Sequence, residues 1–174
     1  LVSEGISPKI TIGITPVLTE MLADEVFKAE FAAYVDQKIE AAQADAAEFY
    51  RVGDHERHAL AHMWEGFYGD VRRYFKETVG CDIPGAFRRL QDGGHIEIIT
   101  CAATHGYLPL LGEDTAVQAQ VKLGVATYRK HYGRDPRGIW LPECAYRPAY
   151  EWSPPVPGFG GPRRRKGVEE FLSE

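Results

Sequence analysis

Apolar residues recur along the chain in two rhythms, and each change of rhythm marks a change of element. Lys9-Ile10-Thr11-Ile12-Gly13-Ile14 alternates with β-branched residues at every second place, the period of a half-buried strand, and Pro16 closes it. Residues 16–22 then predict a short helix, with Thr15 as its cap and proline at the first position, where a missing N–H costs nothing. From residue 24 to residue 79 the period becomes helical. Phe27, Phe31, Tyr34 and Val35 share a face, and Ala41, Ala42, Ala44, Ala46 and Ala47 add helix propensity. Gly53-Asp54 is the predicted break, with Asp54 capping a second long helix that carries Met63, Trp64, Phe67, Tyr68, Val71, Tyr74 and Phe75. Residues 24–79 thus read as an all-helical insertion between strands, longer than a strand-to-strand crossover needs.

The second half returns to an α/β rhythm. A short helix within 82–94 ends at Gly93-Gly94, and a strand follows over 95–103. Residues 115–131 predict a helix with Val117, Val121, Val125 and Tyr128 on one side and Gly133 at its end. Asp135-Pro136-Arg137-Gly138 then turns the chain into Ile139-Trp140-Leu141, an apolar run stopped by Pro142, which lacks the N–H that a central ladder requires. Strand, helix and strand from 95 to 143 form a βαβ crossover, so the two strands should run parallel and end on one face. Residues 148–167 are rich in proline and glycine and predict a long loop over that rim, a candidate lid or groove wall.

Candidate chemistry gathers where those strands end, the usual place for ligands in α/β architectures. Just beyond Pro142 stand Glu143, Cys144, Tyr146 and Arg147, a carboxylate, a thiol, a phenol and a guanidinium at the mouth of a buried strand. Glu143 is the candidate reactive group; the alternative reading is an ion pair with Arg147 or another nearby base. His105, just past the preceding strand, should converge on the same rim, and its ring can donate to a carboxylate or a sugar hydroxyl. Tyr107 and Trp140 offer aromatic surfaces for a sugar face, and Tyr150, Trp152 and Phe159 offer more from the loop. His55, His58 and His62 lie near one face of the second long helix, the spacing of a helix-borne metal site. They lack an HExxH pattern or a second ligand cluster, so ordinary surface or partly buried histidines are the expectation.

Composition narrows the rest. A chain of 174 residues can bury a sizeable core, and a net charge of −5 argues against a general nucleic-acid binder, leaving Arg163-Arg164-Arg165-Lys166 as the one dense basic run. Cys81, Cys101 and Cys144 are odd in number and share no CxxC spacing, against a disulfide framework or a four-cysteine zinc site. No apolar run has membrane length and no signal-peptide layout appears, so the expectation is a reduced, cytoplasmic protein with no membrane partner. Leu1-Val2-Ser3-Glu4-Gly5 reads as a helix tail with a glycine stop and the last residues as a helix cut short, which predicts a fragment.

Three stretches of this sequence resemble glycoside hydrolase family 57: Ile12-Gly13-Ile14-Thr15-Pro16-Val17-Leu18; Gly94-His95-Ile96-Glu97-Ile98-Ile99-Thr100-Cys101-Ala102-Ala103-Thr104-His105-Gly106-Tyr107-Leu108-Pro109-Leu110; and Gly138-Ile139-Trp140-Leu141-Pro142-Glu143-Cys144-Ala145-Tyr146. The resemblance covers essentially the whole chain. It implies a portion of an incomplete, seven-stranded (β/α) barrel, with Glu143 as nucleophile, His105 beside it in a sugar site and Trp140 in the substrate-site pattern; Tyr107, Tyr146 and Trp152 are the further candidate substrate contacts. The implied activity is that of a 1,4-α-glucan branching enzyme acting on amylose-like or glycogen-like chains without metal or cofactor. A 4-α-glucanotransferase, an α-amylase-like hydrolase and a non-catalytic glucan-binding domain are the alternatives. The family's acid/base aspartate and its N-terminal histidine motif are expected outside these residues. The remainder of the catalytic domain is therefore an implied partner, and the fragment alone is expected to be inactive.

Overall fold

In the computed structural model, residues 1–158 and 160–174 are described, and the chain divides into two compact units, Leu1–Glu20 with Phe87–Glu174, and Met21–Ala86. The first unit is built on three parallel strands in the order β1 (Ile10–Gly13), β2 (Ile96–Cys101) and β3 (Ile139–Trp140). Ile10 pairs with Ile96, and Cys101 with Trp140, so β2 is the central strand. Its alternating side chains explain that position, because Ile96, Ile98 and Thr100 are buried on one face while Cys101 turns inward at the end. Helix α1 (Pro16–Ala23) follows β1, and Thr15 Oγ1 accepts from the Leu18 N–H as its predicted cap.

Helix α4 (Ile83–Asp92) ends at Gly93-Gly94, where Gly94 takes φ 70, and helix α5 (Asp114–Tyr132) ends at Gly133, also at φ 70. Two apolar clusters hold α5 to the sheet. Ile14, Ile96, Ile98, Tyr128 and Tyr132 form one, and Ala102, Leu108, Val117, Val121, Val168 and Phe171 form the other. Polar bonds add a second set of ties along the same helix. Tyr128 Oη lies 2.9 Å from the Ile98 carbonyl, Thr100 Oγ1 donates to the Gly124 carbonyl at 3.2 Å, and the Ala103 N–H donates to the Gln120 carbonyl at 3.0 Å. Gly124 makes the close approach possible, because a Cβ there would run into the Cys101 carbonyl oxygen.

The second unit is a pair of long helices, α2 (Glu25–Arg51) and α3 (His55–Arg73), continued by a π-helical turn over Tyr74–Thr78. Asp24 and Asp54 are their caps, each accepting a backbone N–H at 3.0 Å, from Phe27 and Arg57. Val35, Ala42, Ala46, Ala61 and Phe75 are buried in this unit, and small alanines let the helices close.

Two expectations need correction. The strand expected before Pro142 is only two residues long, because Leu141 leads straight into a 3-10 turn over Pro142–Cys144. Residues 148–167 are not a continuous loop. They contain an antiparallel pair, β4 (Tyr150–Trp152) with β5 (Arg163–Arg165), before helix α6 (Val168–Ser173). The cause is side-chain stacking: Trp152 is buried, with the Arg163 and Arg165 guanidinium groups 4.9 and 5.1 Å from its ring centre, so the dense basic run becomes a strand.

Candidate active site

The adjacent C-terminal ends of β2 and β3 carry the site. After Cys101 the chain makes a tight turn in which the His105 N–H donates to the Ala102 carbonyl at 3.0 Å and His105 adopts φ 57. Gln120 on α5 pins that turn: its side-chain oxygen accepts from the Thr104 N–H at 2.9 Å, and its amide nitrogen donates to Thr104 Oγ1 at 2.8 Å. After β3, the buried Pro142 ends the ladder, and Glu143 (φ 56, ψ 24) and Cys144 (φ 54) take two successive left-handed conformations. Backbone bonds from Cys144 to Leu141 and from Ala145 to Pro142 close this turn. Left-handed backbone in residues other than glycine costs about 1–3 kcal/mol each and persists where surrounding structure enforces it, often at functional sites.

The two turns point their side chains at each other. His105 Nε2 lies 3.3 Å from Glu143 Oε1, and on the other edge of the ring His105 Nδ1 lies 3.2 Å from Cys101 Sγ. The Glu143 side chain is 68% exposed and that of His105 37%, so the carboxylate faces open space beside the His105 ring. Cys101 is buried, and burial pushes its thiol pKa up. The alternative reading of Glu143 as a partner of Arg147 is not what the structure shows. Arg147 is buried, stacks 5.1 Å from the Tyr150 ring centre, and its guanidinium makes no hydrogen bond among the described residues.

Trp140, Tyr107 and Tyr146 all stand exposed in this unit. The Tyr146 hydroxyl bonds to Glu169, which together with slight burial raises its pKa. Tyr150 is exposed as well, whereas Trp152 is enclosed by its arginines and presents no open ring face. Phe159 lies outside the described residues. On α3, the His58 and His62 rings pack edge to face at 4.6 Å, and His62 Nδ1 meets Glu65 Oε2 at 3.1 Å. Among the described residues no group of three His, Cys, Asp or Glu side chains is placed to hold a metal ion. No helix is long and apolar enough to cross a membrane among the described residues.

The family model of glycosyl hydrolase family 57 matches residues 14–173, which takes in both strand ends and both turns. The chain belongs to glycosyl hydrolase family 57. Within family 57 it is 48% identical, over 98% of its own length, to the 1,4-alpha-glucan branching enzyme TK1436 of Thermococcus kodakarensis, of which it spans 24%. Its fold is similar to the crystal structure of a GH57-type branching enzyme from the archaeon Pyrococcus horikoshii, with TM-score 0.91 and 45% identity over 99% of this chain and 32% of that one. The α-amylase AmyC from Thermotoga maritima is a more distant likeness, with TM-score 0.77 and 28% identity over 95% of this chain and 28% of that one. The chain thus spans about a quarter to a third of the relatives it matches.

Proposed function

We propose that the chain is part of a 1,4-α-glucan branching enzyme, and that Glu143 is its glycosyl nucleophile. The observation that carries this reading is the Glu143 carboxylate, exposed at the edge of β3 and held 3.3 Å from His105 Nε2. In a retaining double displacement, a Glu143 oxygen attacks the anomeric carbon of an α-1,4 linkage while a second carboxyl group protonates the departing 4-oxygen. A glucan 6-hydroxyl then gives its proton to that second group and displaces Glu143, leaving an α-1,6 branch. The second carboxyl group, an aspartate on the family resemblance, is supplied from outside these residues and stands about 5–5.5 Å from Glu143. The remaining strands of an incomplete seven-stranded barrel complete the groove, with Trp140, Tyr107 and Tyr146 against the sugar rings and a glycogen-like glucan as substrate in the cytoplasm.

The likeness to the α-amylase AmyC supports a second reading, hydrolysis through the same Glu143, but identity is lower there, 28% against 45–48% for the branching enzymes. Incubation of the intact polypeptide with amylose, followed by isoamylase digestion and chain analysis, separates the two. New α-1,6 branches that disappear in Glu143→Gln support branching. Linear products alone would reject it.

A further inference from the structure

Both ring nitrogens of His105 are engaged, and the two partners differ in kind. Nε2 faces Glu143 Oε1 at 3.3 Å and Nδ1 faces Cys101 Sγ at 3.2 Å. A neutral imidazole has one donor nitrogen and one acceptor. Glu143, in the ionised form a nucleophile requires, only accepts, so the ring proton belongs on Nε2 and Nδ1 is left as an acceptor. Cys101 is the group that can fill it. Its sulfur is buried at the end of the central strand, four residues before His105, and burial keeps the thiol protonated and therefore a donor.

We propose that Cys101 is a positioning residue: its S–H donates to Nδ1 of His105 and thereby fixes the tautomer that presents Nε2–H to Glu143. The choice of a thiol has a chemical consequence. A carboxylate at Nδ1 would accept a proton there, favour the imidazolium, and set a full positive charge against the nucleophile. A thiol is a weak donor, so it orients the ring while leaving Nδ1 the acceptor. His105 then holds one Glu143 oxygen through Nε2–H, leaving the other free to attack. The two left-handed turns, pinned by Gln120 on one side and by the Leu141 and Pro142 carbonyls on the other, keep the three groups in line.

The role assigned to Cys101 rests on Glu143 being the nucleophile, but the hydrogen-bond pattern can be read without any turnover. The experiment is a long-range 1H–15N spectrum of the histidine-labelled chain at about pH 8, above the ordinary imidazole range of about 6.5, with His105 identified by the signals lost in His105→Gln. The wild type should show a protonated Nε2 and a hydrogen-bonded, unprotonated Nδ1. Cys101→Ala should move the Nδ1 resonance to the position of an unbonded acceptor or bring in the second tautomer, and Cys101→Ser should keep the wild-type pattern. Cys101→Val fills the buried volume without a donor and serves where Cys101→Ala fails to fold. A protonated Nδ1 in the wild type, or an unchanged His105 spectrum in both donor-free variants, overturns the proposal. Absence of branching by the intact polypeptide would instead remove the proposed function and leave this tautomer where it is.

Discussion

His105 Nε2 and Glu143 Oε1 meet at 3.3 Å across two turns that are both left-handed, at φ 57 and φ 56. Histidine is among the residue types that enter this region most often, whereas glutamate is not, so it is Glu143 that is held there against local preference.

Replacing Glu143 by glycine should therefore raise stability while removing activity. Glycine relieves the strain at φ 56 and at a largely exposed position loses little packing. The expected gain in unfolding free energy is about 1 kcal/mol. Urea melts of the two proteins measure it, and a clear loss of stability would show that the turn is not strained.

Arg165 is fully buried and gives Nε to Asp114 Oδ1 at 2.5 Å and a terminal nitrogen to the Leu111 carbonyl at 2.7 Å. Asp114→Asn leaves that guanidinium without its carboxylate, and the expected loss is about 3 kcal/mol, read by denaturant titration. A change below a third of that would mean that solvent compensates the charge.

The same carboxyl predicts an acid response. Burial opposes ionisation of Asp114, but the Arg165 hydrogen bond, the Lys166 N–H and the nearby guanidinium charges outweigh it and hold its pKa below the usual range. A lowered folded pKa gives stability that is complete above the unfolded value of about 3.9 and is lost as pH falls through the folded one. Asp114→Asn should flatten the stability profile in that acid window and leave its slope near neutrality unchanged.

Arg147 presents the opposite case, a buried guanidinium with no hydrogen bond among the described residues. Removing such a charge in favour of an apolar side chain of similar length is neutral or stabilising. Arg147→Met should raise the thermal midpoint or leave it unchanged, and a marked fall would reveal that its stacking on Tyr150 and its attraction to Asp114 outweigh desolvation.

Gly124→Ala places a methyl group against the Cys101 carbonyl, and forcing α5 away from β2 should cost about 1–3 kcal/mol. Because Gln120 moves with α5, His105 should also shift, visible as a changed His105 signal in the spectrum described above.

Much of the framework was legible in the sequence because it depends on local chemistry. Alternating β-branched residues marked β1 and β2, Asp24 and Asp54 declared themselves as caps, and Gly133 closed α5. The convergence of His105 and Glu143 followed from the parallel crossover alone. What stayed hidden depends on contacts distant in sequence. Arg163-Arg164-Arg165 reads as a charge run until Trp152 stacks between two of its members. The handedness of His105, Glu143 and Cys144 has no signature, since none is glycine. Cys101 and Gln120 were visible only as faint signals, a thiol four residues before the key histidine and a lone amide beside the valines of a packed helix.

Three ties fasten α5 to β2 and its exit: Tyr128 and Gly124 on the helix answer Ile98 and Thr100 on the strand, and Gln120 answers Ala103 two residues past its end. Four helical residues advance about 6.0 Å and two strand residues about 6.6 Å, so between the Tyr128 and Gly124 ties the two elements count in step, and the turn after Cys101 takes up the three residues to Ala103. Between Gln120 and Tyr128 the protein therefore has no slack in length. One inserted or deleted residue there would put every later tie out of phase and rotate Gln120 off the His105 turn, so descendants of this sequence are free to vary in spelling along that stretch but not in number.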